Sequence, residues 1–130
     1  MSPGAAFYTR PPLVGPEPGV FYSNLVRMDK QPLWSLESVT YHESIPGHHM
    51  QIALTQENKS VPDFRRSYFF SGYNEGWALY AETLAKEMGV YTEGDYGAVG
   101  RLFWDLTRAV RLVVATGVHY NRWTIERSAK

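Results

Sequence analysis

The chain has 130 residues, 44% hydrophobic, 15% aromatic and 20% charged, which fits one globular domain with a modest core. Thirteen Lys and Arg balance thirteen Asp and Glu, so no net field favours nucleic acid or an anionic membrane. Cysteine is absent, which excludes disulfides and thiolate ligands and leaves any metal to histidine and carboxylate, the ligand chemistry of a catalytic zinc site more than of a structural one.

No apolar run approaches the ~20 residues that span a bilayer. Met1-Ser2-Pro3-Gly4 lacks the basic and apolar regions of a signal peptide. The default expectation is therefore cytoplasmic, although the lack of cysteine itself leaves the compartment open. Residues 1–19 hold most of the eight prolines and read as extended, irregular backbone. Gly19 to Val26, β-branched and aromatic at its start, reads as a short strand. Ser35 is a plausible N-cap for a helix from Leu36 to Ile45. Pro46-Gly47 interrupts, and helical character resumes from His48 to about Asn58. Ser60-Val61-Pro62-Asp63 is a turn and a new helix start.

From Tyr73 to Met88, Trp77, Tyr80/Ala81, Leu84/Ala85 and Met88 recur at helical spacing, with Gly89 as a C-terminal stop. The longest helix is expected over 96–116, with Val99, Leu102/Phe103, Leu106, Val110 and Val113/Val114 on one face and Gly117 ending it. Another helix begins at Thr124. The fold class is mainly α with a small β or extended element. It forms one domain over 1–130: a Pro-rich extended segment and strand over 1–34, and a helical region over 35–130.

The chemistry concentrates at Tyr41-His42-Glu43-Ser44-Ile45-Pro46-Gly47-His48-His49. In a His-Glu-x-x-His helix the two histidines lie ~40° and ~6 Å apart and reach one zinc, with the Glu beside the attacking water. Here Pro46 stands where the second histidine belongs. On a continuous helix His48 points ~120° away from His42, and His49 lies ~10 Å further along the axis. Pro46 cannot donate to the carbonyl of His42 and disfavours helical geometry at Ile45, while Gly47 permits whatever backbone a break needs. A local bulge or tight break there returns His48 to the metal side, giving a zincin helix with an insertion. Glu43 is then the candidate general base. Glu75, on the next long helix, supplies a third ligand and leaves a fourth position for water. Glu75 shares a stripe with Ala78 and Leu79, and a buried carboxylate there requires a cation. Glu82, beside Lys86, reads as a supporting contact to a ligand or as an ion pair. The bland alternative is a helix end with surface histidines and a salt-bridged Glu75.

The segments from His42 to Gln51 and from Glu75 to Glu82 resemble the signatures of the bacterial family called domain of unknown function 885. Gly19 to Leu25, Arg111 to His119 and Trp123-Thr124 are similar to it as well. The resemblance spans nearly the whole chain. It implies a zincin-like metallopeptidase with one zinc ion, His42, His48 and Glu75 as ligands and Glu43 as base, with His49 the alternative ligand. It also implies that the chain corresponds to the C-terminal region of members several hundred residues long. Ala115 stands where many members carry Asp.

His119 or Tyr120, just beyond the longest helix, is a candidate for stabilising a tetrahedral oxyanion, against a plain hydrogen-bonded histidine near a helix end. Arg108 and Arg111 are candidates to clamp a substrate carboxylate, while Arg101, Asp105 and Arg108 read more simply as a solvated charged face. The strand at Phe21-Tyr22 is a candidate for peptide binding by strand addition, or a core strand. The function expected is hydrolysis of a peptide or small amide by a zinc-activated water. Two alternatives stand beside it: a non-catalytic fragment serving as a metal-binding or packing module, and a zinc hydrolase of a non-peptide amide or ester. The long helices carry more apolar surface than a short chain covers, so an exposed patch is expected, and with it self-association or a partner that completes the fold.

Overall fold

The computed structural model describes residues 6–26, 28–92 and 95–129. The opening residues 1–5, with 27, 93, 94 and the terminal 130, lie outside them. Among the described residues the architecture is mainly α with one two-stranded antiparallel sheet, as the sequence pattern indicates. Strand β1 (Ala6–Thr9) pairs with β2 (Val20–Ser23), with Ala6 opposite Ser23 and Phe7 opposite Tyr22. The Phe7 and Tyr22 rings stack at 4.9 Å, the cross-strand aromatic pair that stabilises a short ladder. The sequence pattern finds β2. It passes over β1 because the surrounding prolines mask four pairing residues.

A 3-10 turn (Met28–Lys30) leads into α1 (Leu33–Glu43), α2 (His48–Glu57), α3 (Asp63–Ser67), α4 (Ser71–Glu87), α5 (Asp95–His119) and α6 (Ile125–Ser128). Helix α1 starts three residues before the expected point, with Pro32 at its N-cap, and the Ser35 hydroxyl donates to the Pro32 carbonyl. Helix α6 begins as expected: Thr124 Oγ1 accepts the Arg127 N–H at 3.3 Å.

Small residues bring α1, α4 and α5 together. Ser35 and Ser38 of α1 are buried, as are Ala78, Ala81 and Ala85 of α4. Gly100 of α5 lies so close to the Trp34 carbonyl that a Cβ there would collide with it. One expectation for α5 fails and one holds. Gly117 does not end it: the helix continues to His119, and Gly117 lies buried against Trp123 with no room for a side chain. The stripe of Val99, Leu102, Leu106, Val110 and Val113 does not face this core and is exposed, as the excess of apolar surface on the long helices leads one to expect. The face turned to α1 is instead the Gly97, Gly100, Trp104, Arg108 row, which lets charged and small groups into the centre. That centre is mostly polar, with His42, Glu43, His48, Gln51, Asn74 and Glu82 among its buried residues.

Candidate metal centre

The site is built on the break between α1 and α2. Helix α1 stops at Glu43 and α2 restarts at His48, with a cis Ile45–Pro46 peptide between them. Gly47 sits against the carbonyl oxygens of His42 and Tyr41, where any Cβ would collide. The indole N–H of Trp77 on α4 donates to the Pro46 carbonyl at 2.8 Å and pins the turn. The consequence is geometric. The His42 and His48 rings stand edge to face with centroids 4.8 Å apart, although six positions separate them.

Glu75, in the second turn of α4, completes the group. Its Oε2 lies 3.5 Å from His42 Nε2 and its Oε1 3.7 Å from His48 Nε2. Tetrahedral ligands at ~2.0–2.1 Å from a zinc ion sit ~3.3 Å from each other, so this spacing is close to a ligand set. Glu43 also approaches, with its ligand atom and those of the two histidines within 4.8 Å of one another. His42, Glu43 and His48 form the tighter group by this measure, while Glu75 turns a different oxygen toward each imidazole. Glu75 is not buried as its stripe suggested: its side chain is 52% exposed, at the edge of the α4 face that carries Asn74, Ala78 and Glu82.

Behind His42 lies an ordered set of charges. Glu82, only 1% exposed, accepts from Ser38 Oγ at 2.6 Å on Oε2. Its Oε1 lies 2.9 Å from His42 Nδ1 and 3.0 Å from Arg108 Nη2. A carboxylate can only accept, so Nδ1 carries the hydrogen and Nε2 is left for the ligand side. Arg108 Nη2 is also 3.0 Å from Nδ1, but two donors do not bond, and its hydrogen belongs to Glu82. Arg108 is therefore not part of a solvated face. Arg101 and Asp105 do form the expected pair four residues apart, at 2.6 Å. His48 is held less firmly: its Nδ1 is buried and lacks a hydrogen-bond partner among the described residues.

These contacts set the protonation of the site. Burial opposes charge on His42, but the hydrogen bonds to Glu75 and Glu82 outweigh it and raise its pKa to about 9. Burial, with the charge on His42, lowers His48. The hydrogen bond from His42 lowers Glu75 against the opposing effect of burial. Burial, helped by the charge on Glu75, raises Glu43, which also accepts a backbone hydrogen bond from Tyr8 on β1. A carboxylate raised in this way is the better proton acceptor.

The other candidates fall elsewhere. His49 turns away, its Nδ1 2.9 Å from the Tyr8 hydroxyl, and so anchors β1. His119 and Tyr120 are exposed at the far end of α5. His119 lies eleven positions beyond Arg108, which is ~16 Å along the axis, and the helix does not bring it to the ligand group. Ser38 and Tyr8 were not assigned to this site from sequence, and Arg108 was offered there as a substrate clamp or a solvated residue, not as a partner of Glu82. A readable signal existed for Arg108, since Gly100, Trp104 and Arg108 recur every fourth residue on the face opposite the apolar stripe.

The model of the family described as "Bacterial protein of unknown function (DUF885)" matches residues 1–130, the whole chain. The chain belongs to the DUF885 family. No curated protein matches it. A crystal structure of a protein described as a candidate lipoprotein from Colwellia psychrerythraea is similar, with a TM-score of 0.91 and 45% identity over 98% of this chain. The chain spans 22% of that protein's length. No helix among the described residues is long and apolar enough to cross a membrane.

Proposed function

We propose that this chain carries the metal centre of a zinc-dependent hydrolase, a metallopeptidase that cleaves peptide bonds with Glu43 as general base. The observation that carries the reading is the approach of both Glu75 oxygens to the Nε2 atoms of His42 and His48, at 3.5 and 3.7 Å. The donor chemistry fits one zinc ion held by His42, His48 and Glu75, with Glu82 orienting His42. Bound there, zinc would supply Lewis acidity toward a carbonyl and a lowered pKa for water. Glu43, raised by burial and fixed by the Tyr8 N–H, takes a proton from the attacking water and delivers it to the leaving amine. The same site also suits a non-peptide amide or ester.

Metal analysis after growth with zinc, together with peptide hydrolysis, tests this. Wild type should retain about one equivalent of zinc and His42→Ala almost none. Glu43→Gln should keep the metal and lose about 10²–10⁴-fold in turnover. Wild-type protein without bound metal would defeat the reading.

A second reading, a non-catalytic packing or metal-binding module, is favoured by a specific observation. The α5 stripe is open, with Leu106 65% and Val113 60% exposed, and the chain corresponds to 22% of its similar structure. Such a face suits self-association or a partner chain, which sedimentation at micromolar concentration would reveal. Zinc binding without turnover across a peptide library would favour this module. Turnover abolished by chelator and by Glu43→Gln would remove it.

A further inference from the structure

Helix α4 is tied to the turn before α2 and to α2 itself, and the ligands His48 and Glu75 lie between the two ties. At one side Trp77 Nε1–H donates to the Pro46 carbonyl at 2.8 Å. At the other Asn74 Nδ2–H donates to Gln51 Oε1 at 2.7 Å. The pairs run antiparallel: Pro46 with Trp77, His48 with Glu75 at 3.7 Å, and Gln51 with Asn74. Asn74 and Gln51 are 4% and 6% exposed, so water does not compete for their bond. Its polarity is fixed by a neighbour. Thr55 Oγ1 spends its hydrogen on the Gln51 main-chain carbonyl and can only accept from Gln51 Nε2, at 3.0 Å. That turns Oε1 to Asn74.

A ligating histidine is ordinarily aimed by a hydrogen bond at its other ring nitrogen. Glu82 does this for His42. His48 Nδ1 is buried and has no such partner among the described residues, so the aim of His48 has to come from the backbone that carries it. We infer that Asn74, Gln51 and Trp77 are positioning residues for the metal centre. Their two hydrogen bonds hold α2 against α4, so that His48 and Glu75 face each other before a metal binds. A single tie would let α2 swing about it, and a tie on each side of the ligand pair removes that freedom. The inference rests on the proposed ligand set in one respect, that zinc binds between His48 and Glu75. The placing of the His48 ring does not depend on it.

The main test is the double variant Asn74→Leu with Gln51→Met. Exchanging both partners of a buried hydrogen bond for apolar groups of similar shape is nearly neutral, whereas Asn74→Leu alone leaves Gln51 unpaired. The single variant should therefore lower Tm and the double variant should largely restore it. Trp77→Phe removes the other tie and keeps a ring in place. Zinc affinity, read by competition with a chromophoric chelator, should fall about tenfold or more in the double variant and in Trp77→Phe, the loss typical of groups that orient a ligand. In metal-free protein the nuclear Overhauser effects between the His42 and His48 rings, whose centroids lie 4.8 Å apart, should weaken in both. Unchanged zinc affinity in either folded variant overturns the inference and leaves the ligand set standing. If the double variant does not fold, Trp77→Phe decides alone. Wild type that binds no zinc defeats the ligand set, and the ring-to-ring effects then decide: weakening supports the positioning role and no change overturns it.

Discussion

Without metal, His42 faces a carboxylate on each ring nitrogen, Glu75 at 3.5 Å and Glu82 at 2.9 Å. Its pKa of about 9 is raised above the unfolded value of ~6.5. The stability it contributes to the metal-free fold is therefore fully present below ~6.5 and disappears as pH rises through about 9. Zinc affinity must run the other way, because the ligand is the neutral imidazole. At pH 7, zinc binding should release about one proton, and apparent affinity should climb about tenfold per pH unit toward 9 before levelling. Calorimetric titration in buffers of different ionisation enthalpy reads the proton count. Zinc binding without proton release at pH 7 would mean that Nε2 is not a ligand atom.

The connection between α1 and α2 decides whether His42 and His48 share a site. A proline and a glycine side by side announced a break, and the two extra residues relative to His-Glu-x-x-His said what the break had to absorb. The detail that makes it work was not readable. Gly47 is needed for closeness to the His42 and Tyr41 carbonyls, a tertiary fact with no local signature. Gly47→Ala should cost about 1–3 kcal/mol by overpacking, seen as a lower Tm, and should weaken zinc binding because His48 must shift. An unchanged Tm and zinc affinity would show that the turn relaxes and that the approach is incidental. Helix α5 taught the opposite lesson. Its apolar periodicity is strong and marks one face but not that face's neighbour, and the row packed on α1 is the glycine, tryptophan and arginine row. Periodicity reports which face avoids water, not which neighbour covers it. Arg108, read from sequence as a substrate clamp or more simply as part of a solvated face, in fact pairs with Glu82. Glu75 reached the ligand group from a half-exposed position, where a buried one had been expected.

Across the whole molecule, the buried hydrophobic residues described are Ile52, Ala78, Ala81 and Ala85, outnumbered by buried polar ones. Large apolar side chains such as Phe70, Leu102 and Leu112 stay in water. The mainly α class and the helix order were legible in the sequence because caps and breakers are local signals. The inverted distribution of polarity was not, since it depends on which elements meet. The polar interior has a thermal consequence. Newly wetted apolar surface raises the heat capacity of an unfolded chain, and newly wetted polar surface lowers it. A native chain that already wets its apolar stripe has little left to add. The heat-capacity increment on melting should then fall below the usual ~12–15 cal/mol/K per residue, giving a shallow stability curve with a broad maximum. Scanning calorimetry measures this directly, and an increment within or above that range would mean that something covers α5 in solution.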